Sequence, residues 1–118
     1  MVGFNNIIVF NNNGKIIDYQ KSYNKEYAKI LNIFLPLNFN NKKNYHIELS
    51  MAIDNTYPRE IIKIDGVKSE EDLNKYTFDL SELYRNYYVA QKKKPGLSRI
   101  RLYTDNGRVK FESESFRI

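Results

Sequence analysis

The chain opens on a short apolar run, Ile7, Ile8, Val9 and Phe10, followed by Asn13-Gly14 and then by Ile16, Ile17 and Tyr19. Asn-Gly readily adopts the positive φ angles of a tight turn, so this stretch predicts a β-hairpin. Tyr23, Tyr27, Ile30, Leu31 and Phe34 then recur at helical spacing, with Lys25, Lys29 and Asn32 off the stripe. That spacing predicts an amphipathic helix from residue 22 or 24 to residue 35, stopped by Pro36. Next, Tyr45, Ile47, Leu49, Met51 and Ile53 alternate with His46, Glu48, Ser50 and Ala52. Strict alternation predicts a strand with one buried and one largely exposed face. Residues 60–65 predict a shorter apolar strand, reached through a turn at residues 55–58.

Ser69, Glu70, Glu71 and Asp72 predict a short helical turn. Asp79, followed three residues later by Glu82, has the form of a reciprocal helix cap, and Leu80, Leu83, Tyr84 and Tyr87 supply the apolar stripe behind it. Lys92, Lys93 and Lys94 suit the negative end of such a helix, and Pro95-Gly96 closes it. The chain ends in a second hairpin. Residues 99–104 alternate, with Ile100 and Leu102 directed inward; Asp105, Asn106 and Gly107 turn; Val109 and Phe111 continue inward on the return strand. The segment around Asn13-Gly14 and the one around Asn106-Gly107 match in pattern, which we assign to a shared turn requirement. The element order is ββα-ββ-α-ββ. It predicts an α+β fold, an antiparallel sheet of about six strands with two helices packed on one face, forming a single domain over residues 1–118.

Composition removes most chemistries. The chain has no Cys and one His, so thiolate sites, disulfides and any site built on two imidazoles are excluded. Five Gly, with neither of the phosphate-binding glycine motifs, do not support a nucleotide cradle. His46 is the one imidazole base; it shares a strand face with Glu48 and reads as an exposed pair on a sheet surface. The expectation is a protein that is not an enzyme, with no cofactor and no metal. No run of 18 apolar residues and no signal-like start is present, which predicts a cytoplasmic protein without a membrane partner.

Charge is segregated within the overall +5. Residues 1–45 carry six basic and two acidic side chains, residues 46–84 four and nine, and residues 85–118 nine and three. In the last block Arg99, Arg101 and Tyr103 share one strand face, and Arg108 and Lys110 share a face of the returning strand. Together with Lys92, Lys93 and Lys94 these form the candidate binding residues. A protein partner with an acidic surface, such as a toxin or a defence protein, is the expected ligand. The alternative is a small nucleic-acid-binding module, with the cations on phosphates and Tyr103 stacking on a base.

From Asp79 onward the chain resembles the YezG-type immunity proteins, which neutralise bacterial toxins. The resemblance rests on the capped helix with Leu80, Leu83 and Tyr84, then on Ser98, Arg99, Ile100, Arg101 and Leu102, and on Gly107, Arg108, Val109, Lys110 and Phe111. Leu97 stands where the family places an aromatic. The resemblance implies an inhibitor or immunity protein that occludes its partner.

Overall fold

The computed structural model describes residues 6–21, 29–36, 45–54, 60–72 and 74–118. The expected turn at residues 55–58 and residues 22–28 of the expected first helix lie outside these. Among the described residues no helix is long and apolar enough to cross a membrane.

Among the described residues ten strands form two sheets, with one short helix between two of the strands. The α+β expectation of one antiparallel sheet under two helices is therefore corrected to a two-sheet, mostly β fold. The first sheet has the order β2 (Ile16–Gln20), β1 (Asn6–Phe10), β3 (Ile30–Phe34), β7 (Lys75–Asp79), β6 (Val67–Lys68). Its β1–β3 pair is parallel, so the sheet is mixed. In the second sheet β8 (Pro95–Tyr103) pairs along one edge with β4 (His46–Ile53), which in turn pairs with β5 (Ile61–Asp65). The other edge of β8 carries β9 (Val109–Glu112) at Arg101–Tyr103 and β10 (Phe116–Arg117) at Leu97 and Ser98. Between them the Ile100 N–H donates to Ser113 Oγ at 2.9 Å, and the Ser113 N–H to the Ile100 carbonyl at 2.9 Å. A side chain thus replaces one rung of the ladder.

The expected helix over residues 22–35 is corrected at its second half. Ile30–Phe34 is a strand covered on both faces, with Leu31 and Ile33 in the core. Asn32, on the opposite face, is also buried, and its Oδ1 accepts a hydrogen bond from Thr77 Oγ1 at 2.8 Å across the β3–β7 ladder. A six-residue segment that is apolar except at Asn32 fits a central strand as well as a helix stripe, and Tyr23 and Tyr27 extended the helical period upstream. The expected helical turn at residues 69–72 is a loop in which Ser69 Oγ accepts the N–H groups of Glu71 and Asp72.

The expected second helix is present but short. Helix α1 (Ser81–Leu83) continues as a π-helical stretch, Tyr84–Val89, and its buried Leu83 and Tyr84 join the core. Asp79 Oδ1 accepts the Ser81 N–H at 2.9 Å, and hydrogen bonding from the Ser81 side chain, followed by this N–H, holds the Asp79 carboxyl below the usual carboxylate range. Lys92 ends this segment in the left-handed region, φ 53°, and the Lys93 N–H turns back to the Tyr87 carbonyl at 2.8 Å. Pro95 and Gly96 belong to β8, not to a helix stop.

Both hairpin turns have the same build. Asn11 N–H donates to the Lys15 carbonyl and Gly14 N–H to the Asn11 carbonyl; Thr104, Arg108 and Gly107 repeat the pattern. Gly14 and Gly107 have φ of 76° and 79°. Beyond each turn the returning strand carries one extra residue, Ile17 between the partners of Phe10 and Val9 and Lys110 between the partners of Tyr103 and Leu102. Each extra residue makes a β-bulge. Because of the second bulge, Val109 stands beside Tyr103 and is exposed, where alternation had directed it inward.

One apolar cluster joins the sheets: Ile8, Phe10, Leu31, Ile33, Tyr76 and Phe78 from the first, Ile47, Leu49, Met51, Ile53, Ile100, Leu102, Phe111 and Phe116 from the second. The inward residues Ile47, Leu49, Ile100 and Leu102 that were to face helices face the first sheet instead. At one end the Phe10 ring meets Phe111 edge-on at 5.8 Å and Phe116 at 6.1 Å. At the other, Gly66 lets a single chain pass from β5 to β6, changing sheets; its N–H is held by the Ile47 carbonyl at 3.0 Å.

Candidate partner-binding face

The outer face of the second sheet is built by strand registers. On β8, Arg99, Arg101 and Tyr103 alternate with the buried Ser98, Ile100 and Leu102, so all three point outward. Across the β4–β8 ladder His46 lies opposite Tyr103, Glu48 opposite Arg101 and Ser50 opposite Arg99. Across β4–β5 Glu48 lies opposite Asp65 and Ser50 opposite Lys63. On the far side Arg101 lies opposite Glu112. One row across the sheet therefore reads Glu112, Arg101, Glu48, Asp65, alternating in sign at its first three positions.

Glu112 organises the centre. Arg101 Nε donates to Glu112 Oε2 at 2.6 Å, and Arg99 Nη1 lies 3.7 Å from Glu112 Oε1. The hydrogen bond from Arg101 holds the Glu112 carboxyl below the ordinary carboxylate range and raises the guanidinium in turn. Arg99 Nη2 also donates to Ser115 Oγ at 3.1 Å. The His46 and Tyr103 rings lie 6.1 Å apart.

The expected cations separate into two groups. Arg99 and Arg101 are tied to Glu112, and Lys93 pairs with Glu60 at 3.5 Å. Lys92, Lys94, Arg108 and Lys110 are exposed and have no ion-pair partner among the described residues. The two lysines precede β8, while Arg108 and Lys110 lie in the hairpin beyond its other end. Nine strand residues span roughly 26 Å, so unpaired positive charge sits at both ends of an alternating lattice.

No family model, no curated protein and no solved structure matches the chain. The face must be interpreted from its own geometry.

Sequence reasoning missed Glu112, Asp65 and Lys63 as members of this face. Alternation placed His46 and Glu48 together, but which residues stand opposite them depends on strand order, which local pattern does not carry. It also missed an open apolar hollow of about 540 Å³ on the first sheet, lined by Val9, Ile17, Phe34, Leu35 and Pro36 with Asn74 at its rim. Ile17, the extra residue of the β1–β2 bulge, is 63% exposed there.

Proposed function

We propose that the chain is a non-enzymatic binding protein of the inhibitor or immunity type, which neutralises a partner protein by covering part of its surface. The contact is the outer face of the second sheet with the two cationic ends of β8. The partner presents acidic groups to Lys92 and Lys94 at one end and to Arg108 and Lys110 at the other.

The observation that carries this reading is the interleaving of carboxylates among the cations. A track for nucleic acid needs a continuous positive field, because each phosphate is met by a cation and releases a counterion. Here Glu112, Glu48 and Asp65 stand in one row with Arg101, next to the row in which Arg99 and Lys63 flank Ser50. A polyanion laid across them meets like charge. A folded protein surface, which itself mixes signs, can match such a pattern residue by residue, and complementary charge then sets partner choice and association rate. The resemblance of residues from Asp79 onward to YezG-type immunity proteins points the same way.

The test is co-expression with the protein encoded by the adjacent reading frame, followed by calorimetric titration of the purified components. We expect a stoichiometric complex. Arg108→Glu combined with Lys110→Glu should weaken it by at least about tenfold, mainly through slower association. Lys68→Glu, on β6 of the other sheet, should leave it unchanged. A complex indifferent to the Arg108 and Lys110 reversal, or no complex with the adjacent product, counts against the proposal.

A further inference from the structure

We propose that His46, Glu48 and Asp65 form a binding site for a divalent transition metal of the Zn²⁺ class on the outer face of the second sheet. The proposal is independent of the partner reading. One ligand atom from each residue lies within 4.8 Å of the other two, and His46 Nε2 is 3.1 Å from Asp65 Oδ1. Donors around a tetrahedral Zn²⁺, at bonds near 2.0–2.2 Å, are about 3.4 Å apart, so small side-chain rotations close this set around one ion.

The backbone holds the three donors in place. His46 and Glu48 are two residues apart on β4 and project from the same face. Asp65 stands opposite Glu48 in the antiparallel ladder. Asp65 is also the last residue of β5, anchored by the following Gly66 N–H, which donates to the Ile47 carbonyl at 3.0 Å. Ile47 lies between His46 and Glu48, so one hydrogen bond ties both halves of the site together.

Charge leaves the position open to a cation. Glu48 and Asp65 are neighbours of like sign. The cation next to them, Arg101, directs its Nε away to Glu112 at 2.6 Å. Among the described residues Glu48 is in no ion pair and accepts only a long hydrogen bond from Ser50 Oγ at 3.5 Å. An imidazole nitrogen in the donor set favours Zn²⁺, Co²⁺ or Ni²⁺ over Mg²⁺ and Ca²⁺, which prefer oxygen alone. The side chains of His46 and Asp65 are 52% and 74% exposed, so water completes the coordination shell and the affinity is micromolar.

The full chain is titrated with ZnCl₂ alone at pH 7.5, followed by calorimetry and by the imidazole resonances in NMR. A lone histidine makes those resonances unambiguous. The expected result is one Zn²⁺ per chain at micromolar affinity with a shift of the His46 signals. His46→Ala and Asp65→Asn should each weaken binding by at least about tenfold, and Asp72→Asn should not. Unshifted imidazole signals at millimolar Zn²⁺ overturn the proposal. So does a binding heat that survives His46→Ala, since the ion is then held elsewhere.

Discussion

Replacing Gly14 with alanine should destabilise the protein by about 3 kcal/mol, whereas the same change at Gly107 should cost about 1 kcal/mol. The two glycines occupy equivalent places in equivalent turns, with φ of 76° and 79°. Each substitution forces an alanine into the left-handed region, which accounts for the smaller figure. The surroundings differ. Nothing lies within 4 Å of a Cβ added at Gly107, but one added at Gly14 overlaps the Glu112 carbonyl oxygen and meets Ser113 Cα at 3.0 Å. The first turn is pressed against the chain between β9 and β10. The Glu114 N–H donates to the Gly14 carbonyl at 2.8 Å, and Glu114 Oε2 accepts the Ile16 N–H at 2.7 Å. Gly14→Ala must therefore push the first hairpin away from the second sheet and disturb the Phe10 contacts with Phe111 and Phe116. Urea denaturation of both variants reads the difference. Equal losses would mean that the first hairpin does not pack on the carboxyl-terminal strands.

Truncating Phe78 to alanine should cost about 4 kcal/mol, a large fraction of the stability of a domain this size. Phe78 is fully buried on β7, opposite Leu31 of β3. Its ring packs where the chain changes sheets: a Cβ added at Gly66 would lie 2.7 Å from Phe78 Cζ and 2.7 Å from Ile47 Cγ2. Losing the ring opens a void between Ile47 of the second sheet and Leu31 of the first, at a point where glycine offers no side chain to fill it. Thr77→Ala, one residue away on the opposite face, removes a single hydrogen bond to Asn32 and should cost about 1 kcal/mol. A Phe78→Ala loss no greater than that of Thr77→Ala would contradict the placement of β7 inside the first sheet.

Sequence pattern conveyed local structure where one face is buried and one exposed. The alternation from Tyr45 to Ile53 corresponds to β4, and the two glycine turns sit where the Asn-Gly pairs predict them. It misled where both faces are covered. Ile30 to Leu35 has the composition of a strand inside a sheet, yet its apolar residues also fit a helical stripe. Tyr76 and Phe78 alternate with Lys75, Thr77 and Asp79, but the run is only five residues long and adjoins a helix signal at Asp79. The β-bulges at Ile17 and Lys110 reversed the facing of single residues, which is why Val109 turned outward. The proposed binding face was half visible. Arg99, Arg101 and Tyr103 follow from period two within β8, whereas Glu112, Glu48 and Asp65 reach them only through pairings between strands up to 53 residues apart, which no local window contains.

The proposed function rests on those carboxylates, so the most direct measurement is fluorescence anisotropy of a labelled 20-nucleotide single-stranded DNA with the full chain in low-salt buffer. Interleaved acidic groups predict no saturable binding at protein concentrations up to about 100 µM, the upper end of ordinary non-specific affinities. Submicromolar binding that collapses steeply with added salt, and that is lost when Arg99, Arg101, Arg108 and Lys110 are neutralised together, would show the face to be a phosphate track and contradict the protein-partner reading.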